Sequence, residues 1–490
     1  MAVAVGMLVA AITEVVSPID AVGSEVIDRS PRWVKEWAIR EFGTDDKLAL
    51  RIGIFTIMGL AALGLGFLSA KRPVIGIAGI GVFGLVGALA AAHRPTESAG
   101  AGLPSLLGAV VGGAVLYRLV RQRPPVVEYP HESRVPLGWD RRRFLIAGGA
   151  TAAGAVAIGG IGVAIERRRV AAIREDASVP LPTLPQQSGE TPDGAQVYDE
   201  TPFITPNGNF YRIDTALSFP RIDVDSWRVT INGMVDNEVS FTYADLLAMP
   251  QVERMVTLCC VSNEVGGEYI GNAIWRGVML ADLLEQAGVK PEAQQVFSTS
   301  LDGWTCGFPV AAAFDGRDAM IAVGMNGETL PLEHGYPARL VVPGLYGYVS
   351  ATKWLSEITL TDWDQQGYWV PRGWSSEAPI KTQSRIDVPR SGQTLAPGPQ
   401  AVAGIAWAQY RGIEKVEVRI DDGEWREARL GTDVSDDAWR QWVFEWDATP
   451  GTHEIQVRAT DKTGETQTAE QAAPAPNGAT GHHTIIAKVK

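Results

Sequence analysis

Residues 52–70, 73–92, 99–117 and 144–165 form four apolar runs without a single charged side chain. Crossing the hydrocarbon of a bilayer takes about 20 such residues, so each run is long enough. All are rich in Gly and Ala, which lets helix backbones approach closely in lipid. A chain that begins this way is not one water-soluble globule, and residues 1–173 read as a helical transmembrane anchor in contact with the lipid bilayer. A fifth run, residues 1–13, is shorter and is followed by Glu14. The sequence leaves open whether it is a full span.

Basic residues in short loops mark the cytoplasmic side of such bundles. Lys71 and Arg72 flank one side, and Arg118, Arg121, Arg123 and Arg141-Arg142-Arg143 stand on the same side two crossings later. This orientation predicts a multi-pass protein of the cell membrane with everything after residue 165 extracytoplasmic. The triplet Arg167-Arg168-Arg169 runs against it. Segment 141–165 also looks like a twin-arginine export signal, Arg-Arg-Arg-Phe-Leu before a small apolar run, a route for folded domains that have already received a cofactor. A basic flank that merely orients the helix is the alternative. No Ala-x-Ala cleavage site clearly follows, so the helix is expected to stay as an anchor.

Charge divides the 490-residue chain: residues 1–177 carry a net +5, the remainder −18. The acidic part lacks the basic face that a phosphate backbone requires, so nucleic acid is excluded as a partner. Fifteen Trp rule out general disorder. Three Cys (Cys259, Cys260 and Cys306) rule out a disulfide scaffold. Residues 174–200, with Pro180, Pro182, Pro185, Gly189 and Pro192, read as an extended linker. Beyond it, residues 227–235 alternate as a strand, and 242–248 form a short helix capped by Thr242. Residues 254–261 are β-rich, and 280–287 form a helix stopped by Gly288. The mixture makes residues 201–375 an α+β domain.

Residues 376–490 differ. Strand-like segments 415–420 and 425–430 flank Asp421-Asp422-Gly423, and 442–446 and 454–459 flank Thr449-Pro450-Gly451; each pair reads as a hairpin. Such spacing predicts an all-β immunoglobulin-like sandwich.

The most informative chemistry is Cys259-Cys260. Neighbours on a strand face opposite ways, and a disulfide between them would be strained. One is then buried and the other faces a pocket. Two core thiols, or one soft thiolate ligand to a metal, both remain open. Arg212, His334, Arg339 and Lys353 stand in Gly- and Pro-punctuated apolar sequence within an acidic domain, and isolated cations there need an anion.

Seven ordered pieces then make a specific pattern. They are Phe210-Tyr211-Arg212, Cys260-Val261-Ser262-Asn263, Trp275-Arg276-Gly277-Val278 (read as a turn into the 280–284 helix), Leu301-Asp302, Met325-Asn326-Gly327, residues 334–339 and Lys353-Trp354-Leu355. Together they resemble the molybdopterin-binding domain of the sulfite oxidase family. The sandwich, with its EVRIDDGEW hairpin, resembles that family's dimerisation domain, so a homodimer is one expected state. The resemblance implies a molybdopterin-dependent oxidoreductase that transfers an oxygen atom with two electrons, the chemistry residing in the cofactor. It implies that Cys260 is the catalytic position and the protein ligand of molybdenum, beside two pterin dithiolene sulfurs. It implies that Arg212, His334, Arg339 and Lys353 hold the pyranopterin and its phosphate. Phe210, Tyr211, Ser262, Asn263 and Asp302 complete the implied cofactor-binding set, and Cys259 is implied to be core.

Departures from the pattern bear on the substrate. True sulfite oxidases have an Arg five residues after the metal cysteine and another three residues before the Lys-Trp pair; here these places hold Val265 and Ser350. The Arg-x-His piece ends in Asp214. Each lost charge-assisted contact is worth about 1.5–3 kcal/mol. A sulfoxide or other oxo-compound is therefore the expected substrate, with sulfite as the alternative and a non-catalytic exported binding module as a second one. The family's periplasmic methionine-sulfoxide reductase branch is the nearest analogue. Tyr346 and Tyr348 are candidates for the substrate mouth. Of the six His only His93 lies near a span, so no haem is expected in this chain. Electrons then pass through a separate cytochrome or quinone-linked partner. The pair His482-His483 reads as a frayed tail.

Overall fold

The computed structural model describes residues 1–42, 46–69, 72–94, 97, 100–121, 141–177, 181 and 191–490. The chain divides into two compact units, Met1–Ala172 with Thr215–Phe219, and Ile173–Asp214 with Pro220–Lys490.

The first unit is helical: α1 Ala2–Thr13, α2 Pro18–Arg29, α3 Arg32–Phe42, α4 Asp46–Ser69, α5 Pro73–Ala92, α6 Leu103–Arg121 and α7 Arg141–Asp176. Four stretches are long and apolar enough to cross a membrane: Lys47–Ser69, Pro73–Ala92, Leu103–Val120 and Leu145–Glu175. The run over residues 1–13 becomes a helix of 12 residues that bends by 95° into α2. By itself it is shorter than a bilayer requires. The Ser17 hydroxyl accepts from Asp20 N at 3.1 Å and Pro18 opens the first turn, which fixes where α2 starts. Small residues set the helix spacing: a Cβ on Gly84 would collide with Ala109, and one on Gly108 with the Ala2 carbonyl. The helix α7 continues to Asp176, so the expected linker begins as helix. The side chains of Arg141, Arg143 and Phe144, together with Arg123, Pro180, Pro182, Pro185 and Gly189, lie outside the described residues.

The second unit contains one mixed sheet, one antiparallel sheet and a sandwich. Its strands are β1 Arg228–Gly233, β2 Val239–Thr242, β3 Val252–Cys259, β4 Ile270–Met279, β5 Gln295–Ser300, β6 Thr305–Pro309, β7 Met320–Met325, β8 Glu328–Thr329, β9 Arg339–Val341 and β10 Leu355–Thr361. Between them lie α8 Tyr243–Ala248, α9 Leu280–Ala287, α10 Ala311–Phe314 and α11 Gly347–Ser350. One sheet runs β2-β1-β10-β5-β6 and the other β3-β4-β7-β8, with β9 added to β7. Only β1 and β10 pair in parallel within these sheets; the other pairs are antiparallel. The expected helices form where they were read. Thr242 and Asp245 make a reciprocal capping box on α8, and Gly288 closes α9 at φ 72°. One reading fails: Trp275–Val278 is not a turn. It lies inside β4, which is buried along nearly its whole length, and the pairing with β7 shifts register at Arg276/Gly277. The small Gly277 permits that bulge.

The last strands are β11 Gln383–Val388, β12 Thr394–Leu395, β13 Gly398–Trp407, β14 Ile413–Ile420, β15 Arg426–Glu427, β16 Arg429–Leu430, β17 Arg440–Ala448, β18 Gly451–Asp461 and β19 His483–Val489. They form two sheets, β11-β13-β17-β16 and β12-β19-β18-β14-β15. The first expected hairpin is half right. Arg426 and Glu427 pair back onto β14, but Arg429 and Leu430 pair with β17 in the other sheet. The second is wrong: β17 and β18 belong to different sheets, so Thr449-Pro450-Gly451 is an arch between layers. Alternation reports only that one face is buried; it does not name the partner strand. His483 is not a frayed tail either. It opens β19, and its Nδ1 accepts from Ile386 N at 2.9 Å. Residues read as the end of the linker are tied down too: Val197 N donates to Gln441 at 2.8 Å, and Ala195 is buried.

Candidate functional site

The strand β3 delivers the cysteine pair. Cys259, its last residue, turns into the main core, while Cys260 follows it with its side chain half-buried. The Ser262 hydroxyl lies 2.9 Å from Cys260 Sγ. Burial pushes the Cys260 thiol up from its ordinary value, and the hydroxyl and amide of Ser262 oppose that by stabilising the thiolate. Cys259 is pushed up more strongly by burial and by its neighbour's charge. Asn263, buried, accepts from Tyr269 N at 2.8 Å and closes the loop after the cysteine.

Beside this sulfur the chain gathers its cations. Phe210 stacks on Tyr211 with centroids 5.2 Å apart and meets Trp275 and His334 edge-on. The Tyr211 phenol is pushed up by burial and by the Cys260 and Cys259 thiols and drawn back by Arg339. It therefore feels both the cysteine and the cation cluster. Asp214 Oδ2 accepts from Arg212 Nε at 2.8 Å and from Lys353 Nζ at 2.7 Å. Arg339, 5 % exposed, lies over the Trp275 ring at 4.9 Å and donates to the backbone carbonyls of His334, Leu340 and Ala351. It forms no ion pair among the described residues. The nearby Glu333 carboxylate is engaged by Arg174. Among the described residues, Arg212, Arg339 and Lys353 gather around the Asp214 carboxylate in a largely buried place, a basic setting that suits an anion.

The loops that carry these groups are tightly built. Gly335 takes φ 116°, and a Cβ there would press on Arg339 and Lys353 at 3.1 Å. Trp354 adopts φ 52°, a left-handed conformation costing a bulky residue about 1–3 kcal/mol. Its indole donates to Leu332 O at 2.9 Å and its amide to Gly335 O at 3.2 Å. Asn326, also at positive φ, turns β7 into β8 and bonds Ile274 N, Thr205 O and Asn207 Oδ1. His334 Nε2 lies 2.8 Å from the Asn207 carbonyl and so donates to it. Burial first, then Arg339 and Lys353, lower its pKa to about 4, so the ring is neutral and Nδ1 is an acceptor.

The remaining candidates behave differently. Asp302 caps its own turn through Trp304 N at 3.0 Å, while Leu301 N donates to Trp354 O at 2.7 Å. Ser350 is 1 % exposed and bonds back to the Leu345 and Tyr346 carbonyls at 3.4 and 3.2 Å. Tyr346 and Tyr348 are both buried in the main core, and the Tyr348 hydroxyl donates to Ser375 O at 2.6 Å. They are packed walls and not an exposed mouth. Tyr346 still feels Cys259 and Cys260, which push its phenol up after burial. Val265 is half-buried in the loop after Cys260. Asn207, the stacking of Trp275 under Arg339 and the bridging role of Asp214 escaped the sequence reading. An Asn carbonyl and an aromatic in a strand leave no local signal, whereas Asp214 stood out only as a departure.

Among the described residues no group of three or more His, Cys, Asp or Glu is placed to hold a metal. A metal here would draw one ligand, Cys260, from the chain and the rest from a bound group.

Comparison with known proteins gives five results. Residues 216–369 match the oxidoreductase molybdopterin binding domain, and residues 383–457 a bacterial Ig domain. Human mitochondrial sulfite oxidase is 30 % identical over 303 residues, which cover 52 % of this chain and 55 % of that protein. The chain thus spans about half the length of the sulfite oxidase it matches. The uncharacterized oxidoreductase YuiH of Bacillus subtilis (strain 168) is 33 % identical over 185 residues, 36 % of this chain and 88 % of that protein. The crystal structure of the sulfane dehydrogenase SoxCD from Paracoccus pantotrophus shares the fold, with a TM-score of 0.51 at 24 % identity over 65 % of this chain and 92 % of that one.

Proposed function

Since the chain belongs to the sulfite oxidase family of molybdopterin-dependent oxidoreductases, we propose that it is a membrane-anchored, extracytoplasmic oxotransferase whose substrate is not sulfite. Residues 1–173 anchor it, with 141–165 serving as a twin-arginine-type segment. Residues 201–375 hold the cofactor, and 376–490 form a dimerisation-type sandwich. The bound molybdenum cofactor supplies oxygen-atom transfer coupled to two electrons.

The donor set fits that cofactor. Cys260 offers one soft thiolate, and the Ser262 hydroxyl at 2.9 Å stabilises it as an anion. Arg212, Arg339 and Lys353 carry the positive charge that a dianionic phosphate needs, Arg through forked donors and Lys as a point charge. Neutral His334 offers Nδ1 to a ring N–H, and its Nε2 bond to Asn207 fixes the tautomer. Phe210 and Tyr211 shield this seat from water, and Asp302 shapes the turn beside Lys353.

The substrate reading rests on one observation. Ser350, where a sulfite-binding cation would be expected, is buried with its hydroxyl turned to its own carbonyls. Val265 is apolar, so neither position brings charge toward a sulfite dianion. A sulfoxide or related oxo-compound asks for none. A separate cytochrome or quinone-linked protein exchanges the electrons. The names of the relatives favour a second reading, sulfite oxidation. Steady-state assays of sulfite oxidation and of sulfoxide reduction with artificial electron carriers separate the two. Turnover of sulfoxides with sulfite inert is expected; brisk sulfite oxidation overturns the reading of Val265 and Ser350.

A further inference from the structure

Among the described residues, Asp214 is the carboxylate paired with both Arg212 and Lys353, and its side chain is 6 % exposed. A carboxylate beside a proposed phosphate seat is at first sight an obstacle, because it repels the ligand. The geometry points to the opposite role: Asp214 is a positioning residue that keeps Lys353 charged and aimed into the seat. This inference rests on the cofactor-seat reading above.

The argument begins with Lys353. Its Nζ is held by Asp214 Oδ2 at 2.7 Å and by the Glu333 carbonyl at 3.3 Å, and lies 4.8 Å from the Trp354 ring centre. Its side chain is 12 % exposed. Arg212, which shares Asp214, and buried Arg339 both disfavour its proton. His334, also in electrostatic reach, is neutral, and the Glu333 carboxylate is taken by Arg174. Burial, helped by Arg212 and Arg339, outweighs the upward pull of Asp214 and leaves Lys353 lowered to about 8. An ammonium so placed releases its proton readily once its counter-ion is gone. Removing Asp214 therefore takes away two charges at neutral pH. The repulsion toward a phosphate is relieved, but one of the three attracting cations is lost and Arg212 loses the acceptor that orients its Nε. The second effect is larger because Lys353 would contact the ligand itself, whereas Asp214 sits behind the two cations it binds.

The test uses the full-length protein in detergent. One readout is molybdenum and pterin content after maturation. The other is sulfate binding by cofactor-free protein, followed calorimetrically at pH 7.5 and 5.5, since sulfate stays a dianion over that range. Asp214→Asn is expected to lower metal and pterin content at least fivefold and to weaken sulfate binding about tenfold at pH 7.5. At pH 5.5, where Lys353 regains its proton, binding returns to within about threefold of wild type. Lys353→Gln is expected to match Asp214→Asn at pH 7.5 and to show no recovery at pH 5.5. Equal or tighter sulfate binding by Asp214→Asn at pH 7.5 overturns the proposal, as does an equal deficit at both pH values. Matured wild-type protein lacking molybdenum and pterin overturns the cofactor-seat reading and this inference with it.

Discussion

Two buried ion clusters in the second unit use the same side chains to different ends. In the sandwich, fully buried Asp461 accepts from Arg411 Nε at 2.8 Å, from the Thr382 and Thr463 hydroxyls at 2.7 and 2.6 Å, and from Glu465 N at 3.1 Å. Burial pushes its carboxyl up, but the bonds from Thr463, Arg411 and Thr382 outweigh this and hold it at about 2. Its lone pairs are saturated from within the chain. In the site the balance is different: Arg212 and Lys353 share Asp214, and among the described residues Arg339 meets carbonyls and the Trp275 ring but no carboxylate. The contrast is between a carboxylate saturated from within the chain, which serves stability, and a cation-rich cluster, which under the proposed function receives the anionic group of the cofactor.

The largest expected effect breaks the site and spares the fold. Cys260→Ser should abolish turnover and leave circular dichroism and the melting curve unchanged; full activity in that variant would refute Cys260 as the ligand. Next comes a paired test of the comparison itself. Arg411→Gln strands a buried carboxylate and should cost about 3–5 kcal/mol in denaturant unfolding, with cofactor content per folded molecule unaltered. Arg339→Gln should cost the cofactor-free protein less than half as much, yet strip most of the molybdenum from matured protein. If the two variants behave alike, the contrast between the clusters fails.

A smaller effect concerns acid. His483 is lowered to about 4 by burial first and then by Arg385, and its Nδ1 must stay unprotonated to accept from Ile386 N. Because its folded value lies below the ordinary one, its contribution to stability is complete above pH 6.5 and is lost as the pH falls toward 4. Thermal melts should fall by roughly 1–2 kcal/mol over that window, after allowance for solvent screening, and His483→Gln should flatten the dependence. The smallest effect belongs to Cys259→Ala: about 1 kcal/mol from lost packing, with turnover nearly intact. Equal damage from Cys259→Ala and Cys260→Ser would show that the wrong sulfur was chosen.

Much of this was legible in one dimension. Uninterrupted apolar runs need no partner to be recognised, and four of them became the four long apolar helices. The helix caps at Thr242 and Gly288 were legible because capping acts between residues three or four apart. The cysteine pair was legible because adjacent strand residues face opposite ways. What failed was pairing at a distance. Alternation in 442–446 and 454–459 was real, yet nothing local says that these strands join different sheets. Nor does a WRGV string announce that it lies within a long strand and not a turn.

The sequence alone therefore determined which segments bury apolar surface and that one cysteine of the adjacent pair would be buried and the other not, while the choice between them came from the family resemblance. The tertiary structure alone decided which carboxylate Arg212 and Lys353 share, that Arg339 lies on Trp275, and that Ser350 turns its hydroxyl away. The physical reason is range. Propensity and capping act over a few residues of chain, whereas Asp214 and Lys353 lie 139 positions apart and meet only because the fold brings them within 2.7 Å.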